Sequence, residues 1–258
     1  MNAINIAQLH LWVQDRDTVL EYSTHVEWRY AQKPDYSQIQ EKLAQESTRN
    51  HLPNSLELLV QNLLQTFEIE ANYKINPAQW LSVVPSQFRM SCNGGYRYTI
   101  TDLINVGTYN LLIANTQHHK ANNAEITTAN NLLHTAFPDG LLWEVLEVYS
   151  QPPDIVLKWR HWGEFTGAYQ DYAPTNKIIE VIGTSVLRVT DDFKIISLEH
   201  YYDHTQFWKQ LTSGGKLLQT PQSEQQKRQK ASVSIWQRLW GFISQLWRRK
   251  QHIPMTNI

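Results

Sequence analysis

Residues 141–203 read LLWEVLEVYSQPPDIVLKWRHWGEFTGAYQDYAPTNKIIEVIGTSVLRVTDDFKIISLEHYYD. Apolar and polar residues alternate here with a period of two, the pattern of strands. Four strands are predicted, over 141–149, 154–166, 177–190 and 193–203. Their separators are turn-forming: Gln151-Pro152-Pro153-Asp154, the loop 167–176, and Asp191-Asp192. Such a succession reads as a meander of long antiparallel strands.

Upstream, the period changes to that of a helix. Leu56, Leu59, Val60, Leu63, Leu64 and Phe67 follow one another at spacings of three and four, which makes one apolar face over 54–73. Asn54 with Glu57 suggests the N-cap and its capping-box partner. Asn76-Pro77 predicts a second short helix carrying Trp80 and Leu81. Residues 87–92 alternate and stop at Asn93-Gly94-Gly95, a strand and its turn. Thr99 to Asp102 opens a helix that should run to about Ala114. A polar stretch, 115–125, contains His118 and His119, which read as loop residues rather than a ligand pair. Short helices are expected over 127–136 and 205–212, and an irregular helical arm, broken at Pro34, over 1–50. Helices first and strands after is the α+β order, with helices covering one face of a curved sheet.

The chain has 258 residues, ten of them Trp, and one cysteine, Cys92. The tryptophans predict a bulky aromatic core or an aromatic-lined cavity. A single cysteine excludes an intramolecular disulfide and a cysteine-rich zinc site. The net charge of −1 hides an asymmetry: residues 215–258 carry +7 and the rest −8. An acidic body argues against nucleic-acid binding. No signal-peptide pattern opens the chain and no run is long enough to span a membrane, so the expectation is a cytoplasmic protein, peripheral to a membrane at most.

The strand region and its surroundings resemble a known family. The stretch 134–211, with "EVLEVYS" followed by "PP", then "RHWG", "APT" and "LEHYYD", is similar to the C-terminal half of the plant-type pathogen-related proteins, in the SnoaL-like branch of the NTF2-like superfamily. The likeness extends through "NHLPNSLELLVQNLLQTFEIEANYK" (50–74) and "NGGYRYTITDLINVGTYNLL" (93–112), so that it spans about 50–212. The resemblance implies a conical α+β barrel with a deep pocket, a homodimer, and acid/base chemistry on a hydrophobic small molecule with neither metal nor organic cofactor. The expected domains are an extension (1–50), the SnoaL-like domain (51–212), a linker (213–230) and a basic amphipathic helix (231–250). One departure is Asn176, where a glycine is expected after Pro174-Thr175; Asn tolerates the left-handed backbone that such a turn needs.

By the same resemblance Asp203 is the first candidate acid/base group. Its alternative reading is the N-cap of the helix that follows. Glu199, Tyr201 and Asp203 share one strand face, and the resemblance favours that face for the pocket over the face of Ile196, Leu198, His200 and Tyr202. Arg160 and His161 are neighbours, so one points inward and the other pairs elsewhere; Glu144 and Glu147 are the available partners for Arg160. Trp143, Trp159 and Trp162 are candidate ligand-binding walls. His200 and His204 are four apart on a strand, about 13 Å, too far for a shared metal. In 234–250, three Trp on one helical side with basic flanks suit a membrane surface, a protein partner, a second copy, or packing on the domain itself. Three functions stay open: a SnoaL-type enzyme performing cyclisation, isomerisation or hydration, a non-catalytic binder of a lipid-like or aromatic ligand, and an interaction module whose pocket is vestigial.

Overall fold

The computed structural model describes residues 10–113 and 132–217. Residues 1–215 form one compact unit and 216–258 a second. The polar stretch 115–125 with His118 and His119, the first part of the helix expected over 127–136, and the amphipathic segment 231–250 lie outside the described residues.

The compact unit is α+β. Its named helices are α1 (Arg16–Glu21), α2 (Ser37–Glu46), α3 (Leu56–Tyr73), α4 (Ile100–Val106), α5 (Thr108–Ile113) and α6 (His204–Thr212), with a further helical stretch at 132–136 and single 3-10 turns at Leu11–Val13 and Pro77–Gln79. Its strands are β1 (Arg89–Cys92), β2 (Leu142–Val148), β3 (Asp154–Glu164), β4 (Ile178–Val189) and β5 (Ile195–Tyr202). They form one curved, open sheet in the order β1-β5-β4-β3-β2. The β2–β5 meander is antiparallel, as the short turns require, and β1 adds parallel to β5.

The apolar face of α3 is the one its spacing predicts: Leu59, Val60, Leu63, Leu64 and Phe67 are buried against Val145, Ile155, Leu157 and Trp159 of the sheet. The cap differs by one residue. Asn54 adopts a left-handed backbone (φ 67°) and Ser55 is the N-cap, accepting from the Leu58 amide at 3.2 Å. The helix opened by Thr99 has a capping box with Asp102 but stops at Val106. Gly107, at φ 85°, breaks the continuous helix expected to Ala114 into α4 and α5. Asn176 takes φ 54°, the left-handed turn expected of it.

Residues 10–50 build into this unit. Val13 belongs to the main core, and Leu20 and Tyr36 pack with Ile69 of α3. The end of α2 and the residues after it cover the outer face of β2 and β3. There the Thr48 amide and hydroxyl donate to Glu144 at 2.9 and 3.0 Å, and the Trp162 indole N–H donates to Glu46 at 2.8 Å.

A buried charge pins α3 to the segment that follows its short 3-10 turn. Glu70 is fully buried and accepts from Lys74 Nζ (3.1 Å), the Leu81 amide (2.6 Å), the Ser82 amide (3.0 Å) and the Ser82 hydroxyl. Four donors replace the lost hydration, which is what a buried carboxylate needs. The Glu70→Gln variant places an amide NH2 among these donors and strands Lys74 in the interior. It should lose about 3–5 kcal/mol in urea denaturation. Glu180→Gln, which breaks a half-exposed pair with Arg160, should cost less than about 1 kcal/mol.

Candidate active site

Between α3 and the inner face of the sheet lies a cavity of about 150 Å³. Its sheet wall comes from alternate residues: Trp143 of β2, Trp159 and His161 of β3, Val181 of β4, and Leu198, His200 and Tyr202 of β5. Strand geometry brings these together in register. Trp143 lies opposite His161, His161 opposite Val181, and Gly183 opposite both Trp159 and Tyr202. The helical wall is Leu64, Gln65, Phe67 and Glu68 of α3 with Thr108 and Tyr109 of α5. Arg16, Tyr36 and Ile39 close it from the N-terminal segment.

The two histidines differ in what they offer the cavity. His161 Nδ1 lies 2.7 Å from the Leu142 carbonyl, which can only accept. Nδ1 therefore carries the hydrogen, and Nε2 of the neutral ring keeps a lone pair. His200 is wired the other way. The Trp159 indole N–H donates to Ser185 Oγ at 2.7 Å, so the serine hydrogen is available to His200 Nδ1 at 2.8 Å. In the tautomer that takes this hydrogen, Nδ1 of His200 accepts and its Nε2 carries the hydrogen. Neither Nε2 has a hydrogen-bond partner among the described residues. Burial pushes both imidazoles down to about 4, helped for His200 by the neighbouring His161. At neutral pH the cavity thus holds one free acceptor nitrogen and one N–H donor, both uncharged.

A second polar group sits on the helical side. Glu68 accepts from Arg16 Nη2 in a short ion pair and from the Tyr36 hydroxyl at 3.1 Å. The Arg16 guanidinium carbon stands 4.2 Å from the centroid of the Tyr36 ring. Burial, together with Glu68, holds the Tyr36 phenol well above its ordinary range and pushes Tyr73 up to about 12. Tyr109 links the two groups: its ring lies 6.1 Å from that of His161, and its phenol is raised by burial and then by Glu68. Cys92, by contrast, is a thiol at neutral pH, since burial pushes it up to about 11.

Several expected site residues stand elsewhere. Asp203 is exposed and is the N-cap of α6, accepting from the Gln206 amide at 3.0 Å. Glu199 and Tyr201 occupy the outer face, where the tyrosine hydroxyl donates to Glu199 at 2.8 Å and 41% of Tyr201 is exposed. The face of β5 that lines the cavity is that of Leu198, His200 and Tyr202. Arg160 points outward, paired with Glu144 and Glu180 and laid over Trp162. Trp162 is fully buried, but beneath the end of α2 rather than in the cavity. Of the candidates, His161, Trp143 and Trp159 line the cavity. His200, Ser185, Tyr109, Arg16 and Glu68 were not singled out for it from the sequence. Their signal is weak, because each lies far along the chain from the others or on a face that periodicity left ambiguous.

Residues 113–211 match the model of the SnoaL-like polyketide cyclase family. A pathogen-related protein of Hordeum vulgare is 33% identical over 187 residues, covering 70% of this chain and 80% of that one. The chain belongs to the pathogen-related protein family, with a SnoaL-like domain. Among solved structures, a candidate SnoaL-like polyketide cyclase from a Jannaschia species is 16% identical, with a TM-score of 0.33, over 52% of this chain and 76% of that one. IdmH, a candidate polyketide cyclase from Streptomyces antibioticus, is 13% identical, with a TM-score of 0.36, over 57% of this chain and 94% of that one. In this member of the pathogen-related family the SnoaL-like match includes β2–β5 and both cavity histidines. Arg16, Tyr36 and Glu68 precede it.

The lowered imidazoles make stability depend on pH. Folded His161 and His200 bind protons only near pH 4, whereas unfolded histidine binds them at about 6.5. Their contribution is complete above about pH 6.5 and is lost as pH falls towards 4. The melting temperature should therefore drop across that window. In His161→Asn/His200→Asn, scanned calorimetrically, the drop should be shallower.

Proposed function

We propose that the chain is a small-molecule enzyme of SnoaL type that moves a proton within an apolar substrate, in an isomerisation, cyclisation or hydration. The observation that carries this reading is the complementary histidine pair: a free Nε2 lone pair on His161 and a free Nε2–H on His200, on one wall of an aromatic-lined cavity. Family membership supports a cyclase- or isomerase-type role.

In this scheme His161 Nε2 takes a proton from a carbon next to a carbonyl. The electron pair of the C–H bond moves onto the carbonyl oxygen, and His200 Nε2–H hydrogen-bonds to the enolate that forms. An imidazole held near 4 is a weak base. It becomes a stronger one when the enolate's negative charge develops beside it. The substrate's C–H must also be acidified, as between two carbonyl groups. The His161 imidazolium returns its proton to another carbon for isomerisation, or to the oxygen of a second carbonyl that the enolate carbon attacks for cyclisation. Asp203 has no part in the step.

Keto–enol interconversion of benzoylacetone, followed by ultraviolet absorbance, tests the scheme on a minimal substrate. The wild type should accelerate it, and His161→Gln should be slower by about 10²-fold. Asp203→Ala should retain the wild-type rate while losing about 1 kcal/mol of stability with its helix cap. Equal rates for wild type and His161→Gln would sink the scheme. Tight binding of benzoylacetone without acceleration would favour the non-catalytic binder.

A further inference from the structure

The guanidinium of Arg16 is more than nine-tenths buried, lines the cavity, and leaves two of its three nitrogens without a partner among the described residues. Nη2 is paired with Glu68, but among the described residues neither Nε nor Nη1 has a hydrogen-bond partner. An unmatched buried donor costs about 1–3 kcal/mol, and more when it is charged. The local chain holds Arg16 in place regardless: Asp15 caps α1, accepting from the Thr18 amide at 3.0 Å, while Tyr36 stacks against the guanidinium. The neighbours do not release it to water, so the two donors are preserved for something that enters the cavity.

The geometry points to Arg16 as a ligand-binding residue that holds an uncharged acceptor oxygen, such as a ketone or ester carbonyl, on a body of about one ring. The size follows from the volume: a cavity of about 150 Å³ takes a benzene-sized group. The charge state follows from the surroundings. Glu68 already balances Arg16, and the other titratable groups on the cavity wall, Tyr36, Tyr109, Tyr202, His161 and His200, are neutral at pH 7. A carboxylate placed there would bring a net buried negative charge beside Glu68, at a cost of several kcal/mol, roughly. A carbonyl oxygen accepts from Nε or Nη1 without that cost. The inference deepens the proposed function, resting on the same cavity, and adds a second anchor to it. One end of the ligand would lie at Arg16 and the reacting carbon at His161, with Tyr109 between them.

Three probes of one ring separate the possibilities: acetophenone, benzoate and ethylbenzene, titrated calorimetrically into the full chain. Acetophenone should bind about tenfold more tightly than ethylbenzene, the value of a hydrogen bond to a charged donor, and more tightly than benzoate. In Arg16→Met/Glu68→Gln, where both charges go together and neither is stranded, acetophenone should fall to the level of ethylbenzene. Ethylbenzene binding should be unchanged, which also reports that the variant retains its cavity. If the double variant loses ethylbenzene as well, the wild-type order of the three probes decides. Equal binding of acetophenone and ethylbenzene to the wild type overturns the inference, as does a ketone preference that survives in an intact double variant. Tighter binding of benzoate overturns the uncharged class. Failure of all three probes to bind overturns the cavity as the ligand site, and the proposed function with it. Failure of benzoylacetone turnover alone leaves the Arg16 anchor standing.

Discussion

The Trp159 indole lies across Gly183, and the inner wall of the sheet depends on that packing. A Cβ at Gly183 would come within 2.2 Å of the indole ring, so only glycine lets the ring lie flat against β4. In that position the indole N–H reaches Ser185, Ser185 reaches His200, and the ring meets His200 and Tyr202 edge-on at 6.1 and 5.8 Å. One aromatic side chain on β3 thus sets a hydroxyl on β4 and an imidazole tautomer on β5. Side chains in a close-packed interior have few alternatives. The chemistry of the cavity is fixed by packing as much as by polarity.

The second constraint is electrostatic. Glu144, Glu180 and Glu199 of the meander all face away from the cavity. Glu144 and Glu180 are met there by Arg160, and Glu199 by Tyr201. An unpaired carboxylate on the inner face would have to be desolvated or protonated. Neutral imidazoles cost less to bury, and through their tautomers they supply an acceptor and a donor without net charge. The one charge pair that lines the cavity among the described residues, Arg16 with Glu68, comes from the helical side and is internally balanced. Glu70, one turn-fragment further along α3, shows the fuller satisfaction that a carboxylate needs when nothing else is to bind it.

The N-terminal segment ties these features together. Its first part delivers Arg16 and Tyr36 to the cavity, and its last part covers the outer face of β2 and β3 through Glu46 and Thr48. A segment that reads as an irregular arm therefore contributes both to the site and to the burial of the sheet's other side. Irregular chains give little period to read, and for that reason Arg16 and Tyr36 did not stand out.

The sequence by itself determined the element order, the four meander strands, the apolar face of α3, and the family. These rest on local rules: a period of two or of 3.6, turn chemistry at Pro152-Pro153 and Asp191-Asp192, and motifs that lie within one stretch. It also established that Arg160 and His161 must face opposite ways, since neighbours on a strand alternate. Which of the two faces inward was decided only by the tertiary structure, as was the choice of His200 over Glu199 on β5. The physical reason is double coverage. Where Trp162 and Glu144 are as buried on the outer face as Trp159 is on the inner one, alternation no longer separates core from solvent. Only the positions of α3 on one side and the end of α2 on the other say which face encloses the cavity.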